Sequence, residues 1–170
     1  MNGEIYGYEA LVRWFHPLRG SVPPTEFIPV AEKIGLINAL GEWVLKTACE
    51  AAASWSSPLK VSVNVSPVQL MNSSLTDTVV TILRTTGLDP YRLDLEITES
   101  DVFNENTRSL EILSQLRELG VQISIDDFGT GYSSLSRLSY FPFDKIKIDR
   151  SFVINIPHQQ DDLDIVRLII

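Results

Sequence analysis

The 170-residue sequence has one cysteine and lacks an apolar run of membrane-spanning length. The single Cys49 excludes an internal disulfide and favours a reducing compartment such as the cytoplasm. Its alanine neighbours predict a packed helix in which the thiol is buried and structural. The sequence shows neither the roughly 18 apolar residues of a membrane span nor the n-region and h-region of a signal peptide. We therefore expect a cytoplasmic domain without a membrane segment, whether or not a longer parent protein is membrane-anchored.

Basic residues are scarcer than acidic ones. The chain has 14 lysines and arginines against 22 aspartates and glutamates, which gives a net charge of −8. Proteins that bind a nucleic-acid duplex usually present a basic face, so we expect no DNA partner. An acidic protein can still bind an anionic small ligand if its carboxylates first bind divalent cations, because the cation then dominates the local charge.

Short apolar runs alternate with longer amphipathic stretches along the chain. Five runs rich in valine, isoleucine and leucine predict strands at residues 5–14, 61–65, 93–98, 121–125 and 145–148. The stretches between and after them predict helices at residues 25–32, 37–55, 73–86, 106–119 and 161–170. This alternation predicts a single α/β domain with a parallel sheet over residues 1–170. Periodicity alone leaves open whether the sheet is doubly wound or closed into a barrel.

Polar side chains occur near the carboxyl end of every predicted strand. In parallel βα folds this edge of the sheet binds ligands. Clustered carboxylates repel one another unless a cation neutralises them, and oxygen ligands suit Mg²⁺ or Mn²⁺ better than zinc. Two such ions can clamp a phosphodiester and activate a bridging water, which a lysine can orient. The strand-end residues are Glu9, Asn64, Glu96, Glu99, Asp126, Asp127, Lys147 and Asp149.

A simpler interpretation of these acids stays open at this point. Each one taken singly fits a helix cap or a surface salt bridge better than a metal ligand. Asp126 and Asp127 could open the loop before Gly129, and Glu96 could pair with Arg92. The concentration of polar residues at successive strand ends favours a site, but spacing alone leaves the two interpretations nearly balanced.

The motifs resemble those of the EAL domain family. Glu9-Ala10-Leu11 followed by Arg13-Trp14 is similar to the signature that names the family, although the bare triplet is common by chance. The ten-residue segment at 126–135, Asp-Asp-Phe-Gly-Thr-Gly-Tyr-Ser-Ser-Leu, is far more specific. Three further motifs occur in the family's order: Asn64-Val65-Ser66, Glu96-Ile97-Thr98-Glu99 and Lys147-Ile148-Asp149.

The resemblance implies roles for individual residues. It implies catalytic roles for Lys147, which would position the attacking water, and for Asp127, which would be shared with a second metal ion. It implies substrate contacts for Arg13 and Leu11. The remaining metal ligands would be Glu9, Asn64, Glu96 and Asp126. The residues that couple the metal site to dimerisation would be Glu99, Phe128, Gly129, Thr130 and Gly131.

The resemblance also implies a fold and an activity. The expected fold is an incomplete TIM-type (β/α) barrel of mostly parallel strands, lacking the family's first strand and last two βα units, with one catalytic glutamate beyond residue 170. The expected activity is Mg²⁺- or Mn²⁺-dependent hydrolysis of cyclic di-GMP to linear pGpG, and the absence of that glutamate from the chain should lower the rate about 10²-fold or more. The alternative is an inactive module that binds cyclic di-GMP or another protein. A homodimer of the complete domain and fused sensor or GGDEF modules are the expected partners.

Overall fold

The structure is a computed structural model that describes residues 4–99, 107–129 and 141–155. The strands in these ranges are β1 (Gly7–Ala10), β2 (Trp14–His16), β3 (Gly20–Val22), β4 (Lys60–Asn64), β5 (Leu93–Thr98), β6 (Gln122–Phe128) and β7 (Lys145–Ile148). The α-helices are α1 (Pro24–Lys33), α2 (Ile37–Ala53), α3 (Pro67–Leu70), α4 (Leu75–Thr86), α5 (Thr107–Glu118) and α6 (Arg150–Asn155). A 3₁₀ helix covers Pro90–Arg92.

Five of the strands form one parallel sheet in the order β1-β4-β5-β6-β7. This spatial order follows the chain order, whereas a doubly wound sheet reverses direction at a switch point. Right-handed crossovers in a sheet of constant winding direction place the connecting helices on one face. The sheet therefore has the winding of a barrel, and the predicted α/β fold of mostly parallel strands is confirmed.

Apolar and polar residues alternate along the strands of this sheet. On β5, Leu93, Leu95 and Ile97 are at most 1% exposed and belong to a core shared with α2, α4 and α5. The alternate residues face the opposite side of the sheet, because successive side chains in a strand point to opposite faces. One face thus packs against helices and the other face is polar.

The helices carry most of the remaining core. Cys49 on α2 is fully buried, as predicted, and burial together with the negative charge of Glu50 raises the pKa of its thiol to about 11. Glycine stands at the ends of two helices: Gly87 is the C-cap of α4, and Gly120 lies two residues after α5, with φ values of 71° and 95°. Among the helices of the described ranges, none is both long enough and apolar enough to cross a membrane.

The prediction of one strand over residues 5–14 is wrong. The strand ends at Ala10, and Trp14 begins a separate hairpin in which β2 pairs antiparallel with β3. The hairpin turn is held by His16, whose Nδ1 accepts hydrogen bonds from the backbone N–H groups of Leu18 and Arg19 at 3.1 and 3.3 Å. The Trp14 ring also packs edge-on against Phe27 of α1.

Other boundaries also differ from the sequence prediction. Helix α1 begins at Pro24, one residue before the predicted start, and its N-cap Pro23 supplies no side-chain hydrogen bond. The short helix α3 was not predicted; Ser66 and Gln69 form a capping box at its start. Strand β6 continues three residues past the predicted end at Ile125. The predicted helix at residues 161–170 lies outside the described residues.

Candidate metal centre

The candidate site lies on the polar face, at the carboxyl ends of the five parallel strands. Backbone register fixes the relative heights of its residues: Asn64 lies opposite Glu96 on the next strand, and Thr98 lies opposite Asp126. Residues that are far apart in sequence therefore meet at one end of the sheet.

Three of the predicted metal ligands converge directly. Carboxylate oxygens of Glu9, Glu96 and Asp126 all lie within 4.8 Å of one another. Asn64 joins the group through its side chain, because its Nδ2 donates a hydrogen bond to Oε1 of Glu9 at 2.8 Å. Four strands, β1, β4, β5 and β6, thus contribute one oxygen-bearing side chain each.

Lys147 on β7 supplies a positive charge to this group. Its Nζ donates hydrogen bonds to Glu96 at 2.8 Å and to Asp126 at 3.1 Å. Burial lowers the pKa of Lys147, but these two carboxylates outweigh burial, so the pKa lies above its ordinary value and the side chain is an ammonium at neutral pH. Burial raises the pKa of Glu96, which is 2% exposed, although Lys147 opposes that shift.

Asp127 follows Asp126 directly, yet both residues take part in the electrostatics of the site. Asp127 has a φ of 54°, in the left-handed region that aspartate adopts more readily than most residues. The pairing of β6 with β7 is also irregular between Ile125 and Phe128. Burial, followed by the negative charges of Asp126 and Asp149, raises the pKa of Asp127.

The sequence analysis gave Asp149 no role, although the residue lies in a quoted motif. Asp127 and Asp149 share a hydrogen bond between their carboxyl groups. Hydrogen bonds from the side chain and backbone of Ser151 lower the pKa of Asp149. The neighbouring groups therefore move the two pKa values in opposite directions, with that of Asp127 raised and that of Asp149 lowered. The signal for Asp149 was its position two residues after Lys147, on the strand end beside β6.

The loop after β6 is tied to the end of β5. Glu99, which is 2% exposed, accepts a hydrogen bond from the backbone N–H of Gly129 at 2.8 Å. Gly129 has a φ of 102°, and the ring of Phe152 lies where a side chain would project. Phe128 is buried against Ile125. The predicted loop residues Thr130 and Gly131 lie outside the described residues.

The two predicted substrate contacts lie beside the carboxylates. Leu11 and Arg13 line a cavity of about 410 Å³ that also reaches Asn64 and Glu96. Leu11 is 53% exposed, and Arg13 is exposed as well, with its Nη1 donating a hydrogen bond to the carbonyl of Val12 at 3.0 Å. Both side chains are therefore accessible to a ligand in the cavity.

The simpler interpretation of Glu96 is wrong. Arg92 does not pair with it; its guanidinium donates to backbone carbonyls of Leu59 and Ala52 at 3.0 and 2.7 Å. Asp126 and Asp127 are also not loop openers, because both lie within β6.

The donor set fits a hard divalent cation. Three carboxylates within 4.8 Å and one neighbouring amide offer only oxygen ligands from the side chains, which suit Mg²⁺ or Mn²⁺. Lys147 offsets only part of the negative charge, and one of the acids is almost fully buried. A cation would therefore relieve a repulsion that the protein alone leaves in place.

A singly wound parallel sheet with acidic residues at its carboxyl ends defines an α/β barrel-type protein with a candidate metal centre. The model of the EAL domain family matches residues 1–170. The chain belongs to the EAL family, which confirms the resemblance stated from the motifs.

Individual relatives are similar to this chain over nearly its whole length. An uncharacterized signaling protein of Caulobacter vibrioides is 57% identical over 169 residues, which are 99% of this chain and 21% of that protein. The bifunctional diguanylate cyclase/cyclic di-GMP phosphodiesterase MucR of Pseudomonas aeruginosa is 45% identical over 99% of this chain and 25% of MucR. The chain thus spans about a fifth to a quarter of these relatives.

A solved structure is similar in fold as well. The structure of the PaMucR phosphodiesterase in complex with c-di-GMP has a TM-score of 0.90 and 46% identity, covering 97% of this chain and 68% of that one. The five-stranded sheet described above therefore corresponds to part of a TIM-barrel-like EAL domain.

Proposed function

We propose that this EAL domain hydrolyses cyclic di-GMP to linear pGpG with the help of Mg²⁺ or Mn²⁺. The observation that carries the proposal is the convergence of Glu9, Glu96 and Asp126 within 4.8 Å, beside an ammonium group from Lys147. The relatives add support, since MucR is named for cyclic di-GMP phosphodiesterase activity and the PaMucR structure holds c-di-GMP.

The proposed ligands of the cations are the three converging carboxylates together with two neighbouring residues, Asn64 and Asp127. Bound divalent ions would act as Lewis acids on the phosphate and lower the pKa of an attacking water. Asp127 is the residue proposed to be shared with a second ion, because its charge interacts with Asp126 and Asp149. The other proposed ligands are Glu9, Asn64, Glu96 and Asp126.

The remaining residues act on the substrate and on water. Lys147 stays protonated beside its two carboxylates, so it can hold the attacking water and stabilise negative charge on phosphate oxygen. Arg13 presents an exposed guanidinium in the cavity, where it can bind a substrate phosphate, and Leu11 supplies apolar contact to the nucleotide. Water adds to one phosphorus, one ester bond breaks, and the cyclic dinucleotide opens to pGpG.

The Glu99–Gly129 hydrogen bond supports a coupling role for the loop after β6. The bond at 2.8 Å joins the loop to a residue three positions beyond Glu96, so a change at the metal site can reach the loop through β5. We propose that the segment from Phe128 through Thr130 and Gly131 transmits this change to a homodimer interface. Fused sensor or GGDEF modules and a cytoplasmic location belong to the same proposal.

A second candidate function is binding of cyclic di-GMP without turnover. The observation that favours it is the cavity of about 410 Å³ beside the carboxylates, which can hold a ligand without any chemical step. A binding-only module would keep the cavity lined by Leu11 and Arg13 and would not need Lys147 as an ammonium.

The deciding experiment is incubation of the purified protein with cyclic di-GMP and Mg²⁺ or Mn²⁺, with chromatographic detection of pGpG. Asp127→Asn removes a proposed catalytic carboxylate, and Asp77→Asn, an exposed position on α4, is the matched control. Hydrolysis that requires the ion, survives Asp77→Asn and is lost in Asp127→Asn supports the phosphodiesterase. Calorimetric binding of cyclic di-GMP without pGpG formation supports the binding-only module instead.

A further inference from the structure

A second polar layer lies directly below the candidate metal centre. Asp94, two residues before Glu96 on β5, is fully buried. Its carboxylate accepts hydrogen bonds from Ser124 at 2.6 Å and Ser62 at 3.3 Å, and it forms an ion pair with Nζ of Lys145 at 2.7 Å. Nothing in the proposed reaction uses this layer.

The composition of the layer is unusual for its place in the fold. The interior of a (β/α) barrel is ordinarily filled by branched apolar side chains. An ion pair to a buried acid contributes little net stability compared with apolar residues of similar volume, because Asp94 loses its hydration, while the Lys145 side chain, 35% exposed, keeps part of its own. Stability alone therefore does not account for Asp94 and Lys145, whereas the layer above contains charged groups that this pair can influence.

Two acids and two lysines repeat with the same spacing. Asp94 and Glu96 lie two residues apart on β5, and Lys145 and Lys147 lie two residues apart on β7. Residues i and i+2 of a strand point to the same face and are about 6.6 Å apart. Each lysine reaches across β6 to the acid at its own level: Lys145 to Asp94 at 2.7 Å, and Lys147 to Glu96 at 2.8 Å.

This spacing creates a competing partner for Lys147. A lysine side chain has four rotatable carbon–carbon bonds and can shift its ammonium by about one strand level, or roughly 6 Å. Lys147 lies in the part of β7 whose pairing with β6 shifts register, between the pairs Ile125–Ile146 and Phe128–Ile148. Without a cation of its own, the buried Asp94 would attract the ammonium of Lys147 away from Glu96.

Lys145 is placed to prevent the movement of Lys147 from Glu96 to Asp94. Its Nζ neutralises Asp94, and its ammonium also lies 4.8 Å from the centroid of the Tyr6 ring, a second favourable contact at the same level. The nearby Lys60 instead donates a hydrogen bond to Gln122, and its Nζ lies 5.0 Å from the centroid of the same Tyr6 ring.

We infer that Lys145 is a positioning residue: by neutralising Asp94 it keeps the ammonium of Lys147 on Glu96 and Asp126. This inference rests on the proposed phosphodiesterase function for its kinetic consequence. Its structural consequence, the position of Lys147, can be measured independently of activity.

The kinetic test compares three variants of the protein. Lys145→Met removes the ammonium and leaves Asp94 charged, so kcat should fall about tenfold or more while KM changes less than about threefold. Asp94→Asn combined with Lys145→Met removes the competing charge as well, so kcat should recover to within about threefold of the unsubstituted protein. Lys46→Met, an exposed lysine on α2, is the matched control.

A merely structural role gives a different pattern. In that case kcat per folded molecule stays constant in every variant and only the unfolding midpoint changes, which would overturn the inference. So would a double variant as slow as Lys145→Met. If Lys145→Met does not fold, Lys145→Gln replaces it, because the amide still donates a hydrogen bond to Asp94 without neutralising the charge.

The position of Lys147 provides the second measurement. A crystal structure of Lys145→Met, or of Lys145→Gln, should show Nζ of Lys147 turned toward Asp94, and the double variant should show it back on Glu96. Lys147 unmoved in the single variant overturns the inference even if the protein proves inactive. An inactive unsubstituted protein in which Lys147 moves as expected contradicts only the proposed function.

Discussion

Replacing Glu96 by glutamine should weaken cation binding strongly while it changes the stability of the ion-free protein only slightly. Glu96 is 2% exposed, contributes one of three carboxylates within 4.8 Å, and accepts a hydrogen bond from Lys147 at 2.8 Å. The glutamine carbonyl can still accept that bond, and burial already disfavours the charged form of Glu96. The free energy of unfolding without divalent ions should therefore change by only about 1 kcal/mol.

The response to divalent ions should change much more. An ion present at 100 times its Kd stabilises the folded protein by about 2.7 kcal/mol, whereas an affinity about 100-fold weaker leaves about 0.4 kcal/mol at the same concentration. Loss of one of three charged ligands should weaken binding by about that factor, and kcat should fall about 10²- to 10³-fold.

The assay is urea unfolding in EDTA and in Mg²⁺ or Mn²⁺, followed by circular dichroism. Glu111→Gln, at an exposed position on α5, removes the same charge away from the site and should keep the full response to the ion. Equal ion-dependent stabilisation of Glu96→Gln and the unsubstituted protein would show that Glu96 is not a ligand.

Three further predictions concern other parts of the molecule. Burial raises the pKa of the Cys49 thiol from an ordinary value of 9.0 to about 11, so its contribution to the free energy of unfolding is complete below pH 9.0 and is lost as the pH rises toward 11. Urea unfolding should show a loss of about 2 to 3 kcal/mol over that range relative to Cys49→Ala, and parallel pH profiles would contradict this. Gly129→Ala places a Cβ 2.7 Å from the Phe152 ring at a φ of 102°, so it should lower the free energy of unfolding by about 2 kcal/mol or more. The control Gly20→Ala has a φ of 70° and open space around the new Cβ, so it should lower that free energy by about 1 kcal/mol. Equal losses in the two variants would show that Phe152 does not add to the cost. Arg13→Ala should raise KM for cyclic di-GMP about tenfold with kcat nearly unchanged, and a fall in kcat alone would place Arg13 outside substrate binding.

The parallel sheet could be predicted because the strands are chemically distinct from their surroundings. Runs such as Leu93–Thr98 and Lys145–Ile148 have the bounds expected from their apolar residues and flanking turns. The prediction failed at residues 5–14 because Trp14 and Phe15 favour extended structure as strongly as the true strand does. The hairpin is defined by the pairing of β2 with β3, and the packing of Trp14 on Phe27 of α1 is a tertiary contact that residue spacing does not reveal.

The candidate site was predictable from its strand-end positions, but its connections were not. That Glu9, Asn64, Glu96 and Asp126 lie at one edge follows from the parallel arrangement. The direction of each hydrogen bond does not follow from spacing.

The left-handed backbone of Asp127 and its hydrogen bond to Asp149 are features of the site that residue spacing does not predict. A regular strand would point Asp126 and Asp127 to opposite faces, so their joint participation depends on the irregular pairing between β6 and β7. The ion pair between Asp94 and Lys145 is similarly invisible in sequence, because its partners lie 51 residues apart.

The most direct test of the central claim is to locate a bound cation. Crystals of the protein grown or soaked with Mn²⁺ should show anomalous scattering between the carboxylates of Glu9, Glu96 and Asp126, with Asn64 close enough to coordinate. Anomalous peaks confined to other surfaces, at a Mn²⁺ concentration that supports hydrolysis in solution, would contradict the account.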